Sequence, residues 1–321
     1  MAKAILLLVT TGLSWVSVGA AVGYVERRGY SLALYQIFVC IVCVAFGLAH
    51  WAITPDSFFP RAECPVSTWV IVLAATLSCG VFNYLMVVMM GRAMRRGPNA
   101  IVWAVIQSGL IYPFLMGSIA FGVPIGPRRL CGIAMIVASV FMYSATSRKG
   151  RGETKDAAQD VPGRVPLREW LPAALLGMLF CGINQCGANL PSYLKGGTDF
   201  SGAFRTMAIY AGLLAAALAH VALNRLRGRT AARARGDEIR ALALWALALG
   251  TLSFLSTKYL TFPGLDALER LGVGSMGDPV MVAACIAGFF PYGVIVLHER
   301  VSVGQALGAV LGIAGILIGC L

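Results

Sequence analysis

Charge is what this chain has least of. Asp, Glu, Lys and Arg make up 12% of its 321 residues, against about 25% in soluble globular proteins. So few charged groups cannot cover a water-facing surface of this size. Histidine is scarcer still, with 3 residues, and acidic residues number 14, so general acid–base and metal chemistry are poorly supplied. The patterns H-E-x-x-H, D-D-x-x-D and G-x-S-x-G do not occur, so nothing signals the enzyme mechanisms that go with them. No cofactor or metal is implied, and the chain is not expected to be an enzyme. There is also no N-x-S/T sequon, which fits a chain not shaped for a glycosylating secretory route.

The chain does hold 9 cysteines, but all except Cys64 lie in apolar stretches and read as small packing residues. Cys40 and Cys43 form a C-x-x-C without a nearby His or second pair, so neither a zinc site nor a redox motif follows. A net charge of +12 raises nucleic acid as a partner. Position argues against it, because Lys and Arg sit in short runs between apolar stretches, as on the cytoplasmic edge of a membrane.

The abundant material is apolar: 58% of residues are hydrophobic and 37 are glycine. A run of about 20 apolar residues reads as a bilayer-spanning helix, since only a helix pairs all its backbone groups without water. Ten such runs cover about residues 4 to 24, 31 to 53, 68 to 91, 98 to 121, 128 to 146, 169 to 190, 202 to 223, 241 to 261, 279 to 297 and 302 to 320. Asp278-Pro279 offers an N-cap followed by proline at the first helical position, and Pro98-Asn99 opens the fourth span similarly. Lys3 and Gly19-Ala20-Ala21 imitate a signal peptide. The first run nevertheless continues to Tyr24 and has a partner in the second half, so it is read as a retained helix.

With both termini on the non-cytoplasmic side, most of the 26 basic residues fall in cytoplasmic connections. These carry Arg27 and Arg28, then Arg92, Arg95 and Arg96, the runs from Arg148 to Arg168 and from Arg225 to Arg240, and Arg300. The positive-inside rule therefore puts both termini outside.

Parts of the chain repeat. Phe114, Gly117, Ile119, Gly132 and Ala138 align with Phe290, Gly293, Ile295, Gly308 and Ala314. Nearby offsets lay Gly80, Asn83 and Tyr84 on Gly250, Ser253 and Phe254, and Gly12 and Trp15 on Gly177 and Phe180. The expected architecture is an all-α integral membrane protein of ten transmembrane helices. Residues 1–146 form one five-helix repeat, 147–167 a cytoplasmic polar linker and 168–321 the second repeat. An odd number of spans inverts the second unit, and inverted repeats commonly frame a solute site near the membrane midplane. Retention of an old duplication for folding alone is the plainer reading.

The segment from Pro291 to Gly319, PYGVIVLHERVSVGQALGAVLGIAGILIG, resembles the drug/metabolite transporter superfamily and its EamA-type units. Those units often end with an acidic residue in a short turn, then a polar position and a glycine-punctuated helix. Glu299, Gln305, Gly308, Gly312 and Gly315 match that pattern. The first unit departs from it, with Val123 at the acidic position although Gly132 is kept. Outside termini and the run LPSYLKGG are also similar to the branch containing the L-rhamnose/proton symporter. The resemblance implies a central cavity lined by spans 1, 3, 4, 6, 8 and 9.

A polar side chain inside a span must avoid lipid by facing a cavity or another helix. Trp15, Asn83, Gln107, Asn184 and Ser253 lie near mid-depth, and Trp103 shares a face with Gln107 at i and i+4. They are the substrate-binding candidates, although singly each reads as an interhelical hydrogen-bonding or packing residue. Phe289 and Tyr292 join them through the resemblance, on the ninth span. Asp278, with Lys258 or Arg205 beside it, is the proton-coupling candidate; as plainer readings, Asp278 caps a helix and Lys258 snorkels. His220 reads as a satisfied interfacial residue. Gly304, Gly308 and Gly312 form a small-residue face for close packing, with contact between two copies as the alternative.

The function expected is secondary active transport of a small polar metabolite, sugar-like or amino-acid-like, with proton coupling as an option. A channel, a non-transporting structural membrane protein and, behind these, a membrane-embedded enzyme are the alternatives. The expected partners are the solute and the lipid bilayer of a bacterial plasma (inner) membrane, with no nucleic acid, and the chain is read as either monomer or homodimer.

Overall fold

A computed structural model describes residues 1–55, 58–59, 64–122, 126–149, 166–194, 196–228, 236–271, 277–298 and 302–320. Val123, most of the polar linker, Glu299 and Arg300 therefore lie outside the described residues. Those described form helices, with no strand among them. In chain order the α-helices are α1 (Ala2–Arg27), α2 (Leu32–Ile53), α3 (Val66–Met94), α4 (Asn99–Gln107), α5 (Ile111–Phe121) and α6 (Pro127–Lys149). They continue with α7 (Leu167–Asn189), α8 (Gly202–Leu226), α9 (Gly236–Ser256), α10 (Phe262–Arg270), α11 (Gly277–Ile295) and α12 (Val303–Cys320). Eight helical segments are long and apolar enough to cross a membrane, while α6 and α12 contain shorter apolar stretches. The exposed side chains include Ile53, Ile119, Leu226 and Leu244, an apolar exterior suited to lipid.

Two spans depart from simple helices, each at a proline. Between α4 and α5 the chain tightens into a 3₁₀ turn at Ser108–Leu110. Pro113 cannot donate to the carbonyl of Gly109, four residues back, and its ring crowds that carbonyl. The helix expected to end at residue 261 reaches further, passing through a π-helical turn at Thr257–Thr261 into α10. Pro263 leaves the carbonyl of Tyr259 without its helical donor, and a widened turn accommodates the break.

Packing places α4 at the centre, where all of its residues are buried. It lies against α7 and α11. Around it α1 packs on α11 and on the α9–α10 segment, α3 on α7 and α8, α2 on α8 and α9, and α6 on α12. Glycines permit the tightest crossings. A Cβ on Gly12 would stand 2.8 Å from Ala284 Cβ of α11, and one on Gly177 would stand 3.1 Å from Ile106 Cδ1 of α4. Gly80 faces Gly212 of α8, and Gly250 faces Val42 of α2. Gly312 and Gly315 face Ser139 and Met135 of α6, so this small-residue face is used within one chain.

Candidate functional site

The polar residues of the spans converge on a cavity of about 170 Å³ inside the bundle. That is below the roughly 300–1,000 Å³ of sites for drug-sized ligands, so the space suits a small metabolite. Helix α1 contributes Ser14 and Trp15, α3 contributes Asn83, and α4 contributes Trp103 and Gln107. Asn184 and Gln185 come from α7, Tyr210 from α8, Ser253 from α9, and Asp278 and Met281 from α11. The π turn adds Thr257 and Thr261. Thr261 Oγ1 donates to Ser256 O, five residues back, at 3.2 Å and to Thr11 Oγ1 at 3.4 Å. Hydroxyls that would strain a regular helix are satisfied here between α1 and the widened turn.

Trp15, Asn83, Trp103, Gln107, Asn184 and Ser253 therefore share one wall system. Phe289 and Tyr292 do not line it. They lie on the same face of α11 as Asp278 and Met281, but deeper, behind Trp103. The indole stacks on Phe289 with centroids 5.1 Å apart, and Tyr292 follows at 5.5 Å. Gly19 leaves room for this stack, since a Cβ there would come within 2.6 Å of Phe289 and 2.8 Å of Trp103. Trp103 Nε1 donates to Cys285 Sγ at 3.2 Å, so the ring that floors the cavity is held on both its edge and its face. Beyond it, Glu26 of α1 forms an ion pair with Arg95, the residue that follows α3.

The charged residues separate. The helix starts at Gly277, so Asp278 sits in the first turn of α11 instead of ahead of it, and its carboxylate accepts from Asn189 Nδ2 of α7. Neither expected cation is its ion-pair partner. Arg205 is 2% exposed and donates to Asp266 of α10 at 2.7 Å, with its guanidinium 4.1 Å from the Phe262 ring centroid. Lys258 donates to Tyr259 Oη at 2.7 Å and to His50 Nδ1 at 3.1 Å. The π turn carries Lys258 towards α2, away from the cavity. His220 lies 2.5 Å from Tyr84 Oη, satisfied between α3 and α8.

The Arg205–Asp266 pair is itself testable. Arg205→Met removes the cation and leaves Asp266 largely enclosed, which costs about 3–5 kcal/mol when a buried pair is broken. Denaturation of purified protein should register that loss. A variant as stable as the parent would show the pair to be dispensable.

Sequence reasoning missed Gln185, Tyr210, Thr257 and Thr261. For Gln185 a signal existed: it neighbours Asn184 and stands one turn before Asn189, so two polar faces of α7 point inward. The threonines carried none, because an unforeseen π turn shifts their direction.

No family model matches this chain, and no curated protein matches it. A solved structure described only as "Crystal structure of protein" superposes with a TM-score of 0.54 at 16% identity, covering 99% of this chain and 96% of that one. At that identity the likeness concerns the fold, along its whole length.

Proposed function

We propose that this protein is a secondary carrier that moves a small polar solute across a membrane by alternating access. The observation that carries the reading is a cavity of metabolite size, with polar side chains set in a largely apolar wall, framed by helices from both halves of the chain. Its wall of amides, hydroxyls and aromatic rings is suited to holding a solute. The Trp103–Phe289 stack lies on one side of the cavity, and the Glu26–Arg95 pair ties the basic ends of α1 and α3 together.

We also propose ten spans arranged as two inverted units. Support comes from matched crossings. Gly12 seats α1 on α11 and Gly177 seats α7 on α4, while Gly80 seats α3 on α8 and Gly250 seats α9 on α2. Those glycines are the ones aligned by the internal repeat. Exchanging the halves turns each crossing into its partner, as a two-fold axis in the membrane plane requires. Membership of the drug/metabolite transporter superfamily, non-cytoplasmic termini and a bacterial plasma membrane location belong to the same proposal.

Reconstitution in liposomes tests it. Saturable solute flux with counterflow is expected. Unsaturated conductance would make the protein a channel, and no flux of any kind would end the transport reading. Asp278 is the acid of the wall and so the candidate for proton coupling. Asp278→Asn is expected to uncouple solute flux from the proton gradient, and full coupling at the parent rate would remove Asp278 from that role.

A further inference from the structure

The charge balance of the cavity narrows the class of solute, resting on the carrier reading for its physiological meaning. Among the described residues lining the cavity there is one carboxylate, Asp278, and no Lys, Arg or His. The nearby cations are engaged elsewhere, Arg205 with Asp266 and Lys258 with His50 and Tyr259. Asn189 gives the Asp278 carboxylate a neutral donor, which satisfies a lone pair without balancing the charge.

A second acceptor stands beside it. Gln185 is 7% exposed, and its Oε1 is buried without a partner. Its Nε2 is turned away, donating to Cys181 Sγ at 3.4 Å, while Cys181 Sγ donates to Gln107 Oε1. This relay leaves the carbonyl end of the amide without a donor. Gln185 and Asn189 are four residues apart on α7, about one helical turn of 5.4 Å. Gln185, which lines the cavity, and Asn189, which holds the Asp278 carboxylate, therefore lie on one stripe of α7.

An unfilled amide oxygen and an unbalanced carboxylate, on side chains that line one cavity, call for a ligand with several donors and a positive charge. An ammonium group supplies three N–H donors and that charge. A neutral hydroxyl supplies one donor and leaves the carboxylate unbalanced. An anionic solute meets a like charge with no compensating cation. We propose that the cavity binds a small protonated amine, with its ammonium between Asp278 and Gln185 Oε1 and its uncharged part beside Trp103 and Asn83.

The test uses purified full-length protein in detergent and three matched sets of probes. These are ethanolamine against ethylene glycol, putrescine against 1,4-butanediol, and glucosamine against glucose and glucuronate. Thermal shift and calorimetry should find at least one amine that binds saturably and about tenfold or more tighter than its uncharged counterpart, since charge-assisted hydrogen bonds are at stake. Asp278→Asn should remove that preference, and Gln185→Leu should weaken the amine more than its counterpart. Equal or tighter binding of neutral or acidic members, binding by none of the amines, or an amine preference that survives Asp278→Asn would overturn the proposal. Should a variant fail to fold, the comparison of matched probes on the parent protein decides alone. Counterflow of a neutral solute without amine binding would sink this inference and leave the carrier reading standing. Amine binding without counterflow of any probe would do the reverse.

Discussion

Gly212→Val is expected to prevent assembly of the helical bundle, lowering the yield of monodisperse protein in detergent at least about tenfold. A Cβ at Gly212 would stand 2.8 Å from the carbonyl carbon and 3.0 Å from the Cα of Leu77. These are backbone atoms of α3, so no side chain can rotate away, and α3 and α8 must move apart. Gly80 faces the same crossing from α3, with Gly212 C 2.9 Å from a Cβ placed there. Ordinary overpacking costs about 1–3 kcal/mol, and separating two backbones also loosens the packing along the whole length of both helices. Against a total stability of roughly 5–15 kcal/mol, that is a large share. Gly126→Ala is the control, because nothing lies within 4 Å of a Cβ there. Parent-like yield and thermal midpoint for Gly212→Val would show that the two helices do not cross this closely.

Trp103→Ala is expected to cost about 3–5 kcal/mol, the usual range for deleting a buried indole, and to impair solute exchange. Trp103 is 2% exposed, stacks on Phe289 and donates to Cys285. Removing it joins the cavity to the space in front of Phe289 and leaves that ring without its neighbour. Trp103→Phe keeps an aromatic face against Phe289 and loses only the N–H bond and part of the volume, so its cost should be clearly smaller. Denaturation in detergent separates the two variants, and counterflow then shows whether the floor matters to transport. Parent-like stability and exchange in Trp103→Ala would remove Trp103 from the cavity floor.

Much of the candidate site was readable because lipid enforces a simple rule. Asn83, Gln107, Asn184 and Ser253 are polar residues in apolar runs, and lipid offers them no hydrogen bond, so each had to turn inward, while Asp278 stands just ahead of the ninth run. The structure puts all five in one wall. Arg205 and Lys258 obey the same rule but find different partners, since Asp266 and His50 belong to other helices whose rotation no local pattern records. Phe289 and Tyr292 differ from the other candidates in depth: they share the inward face of α11, but Trp103 stacks on Phe289 and neither ring lines the cavity. The α10 extension went unseen because Pro263 reads as a helix terminator, whereas a π turn absorbs it.

By itself, then, the amino-acid sequence determined that this chain is helical and apolar outside, and which polar residues must leave the lipid. Those outcomes come from backbone hydrogen bonding and desolvation, which act on each segment separately. Tertiary structure alone decided which polar residues meet. The direction of a side chain depends on how its helix is rotated, and that rotation is set by crossings such as Gly12 on α11 and Gly80 on Gly212. One extra residue in a turn, as at Thr257–Thr261, rotates the remainder of the helix by about 100°. Hence Asp278 came to Asn189 and not to a cation.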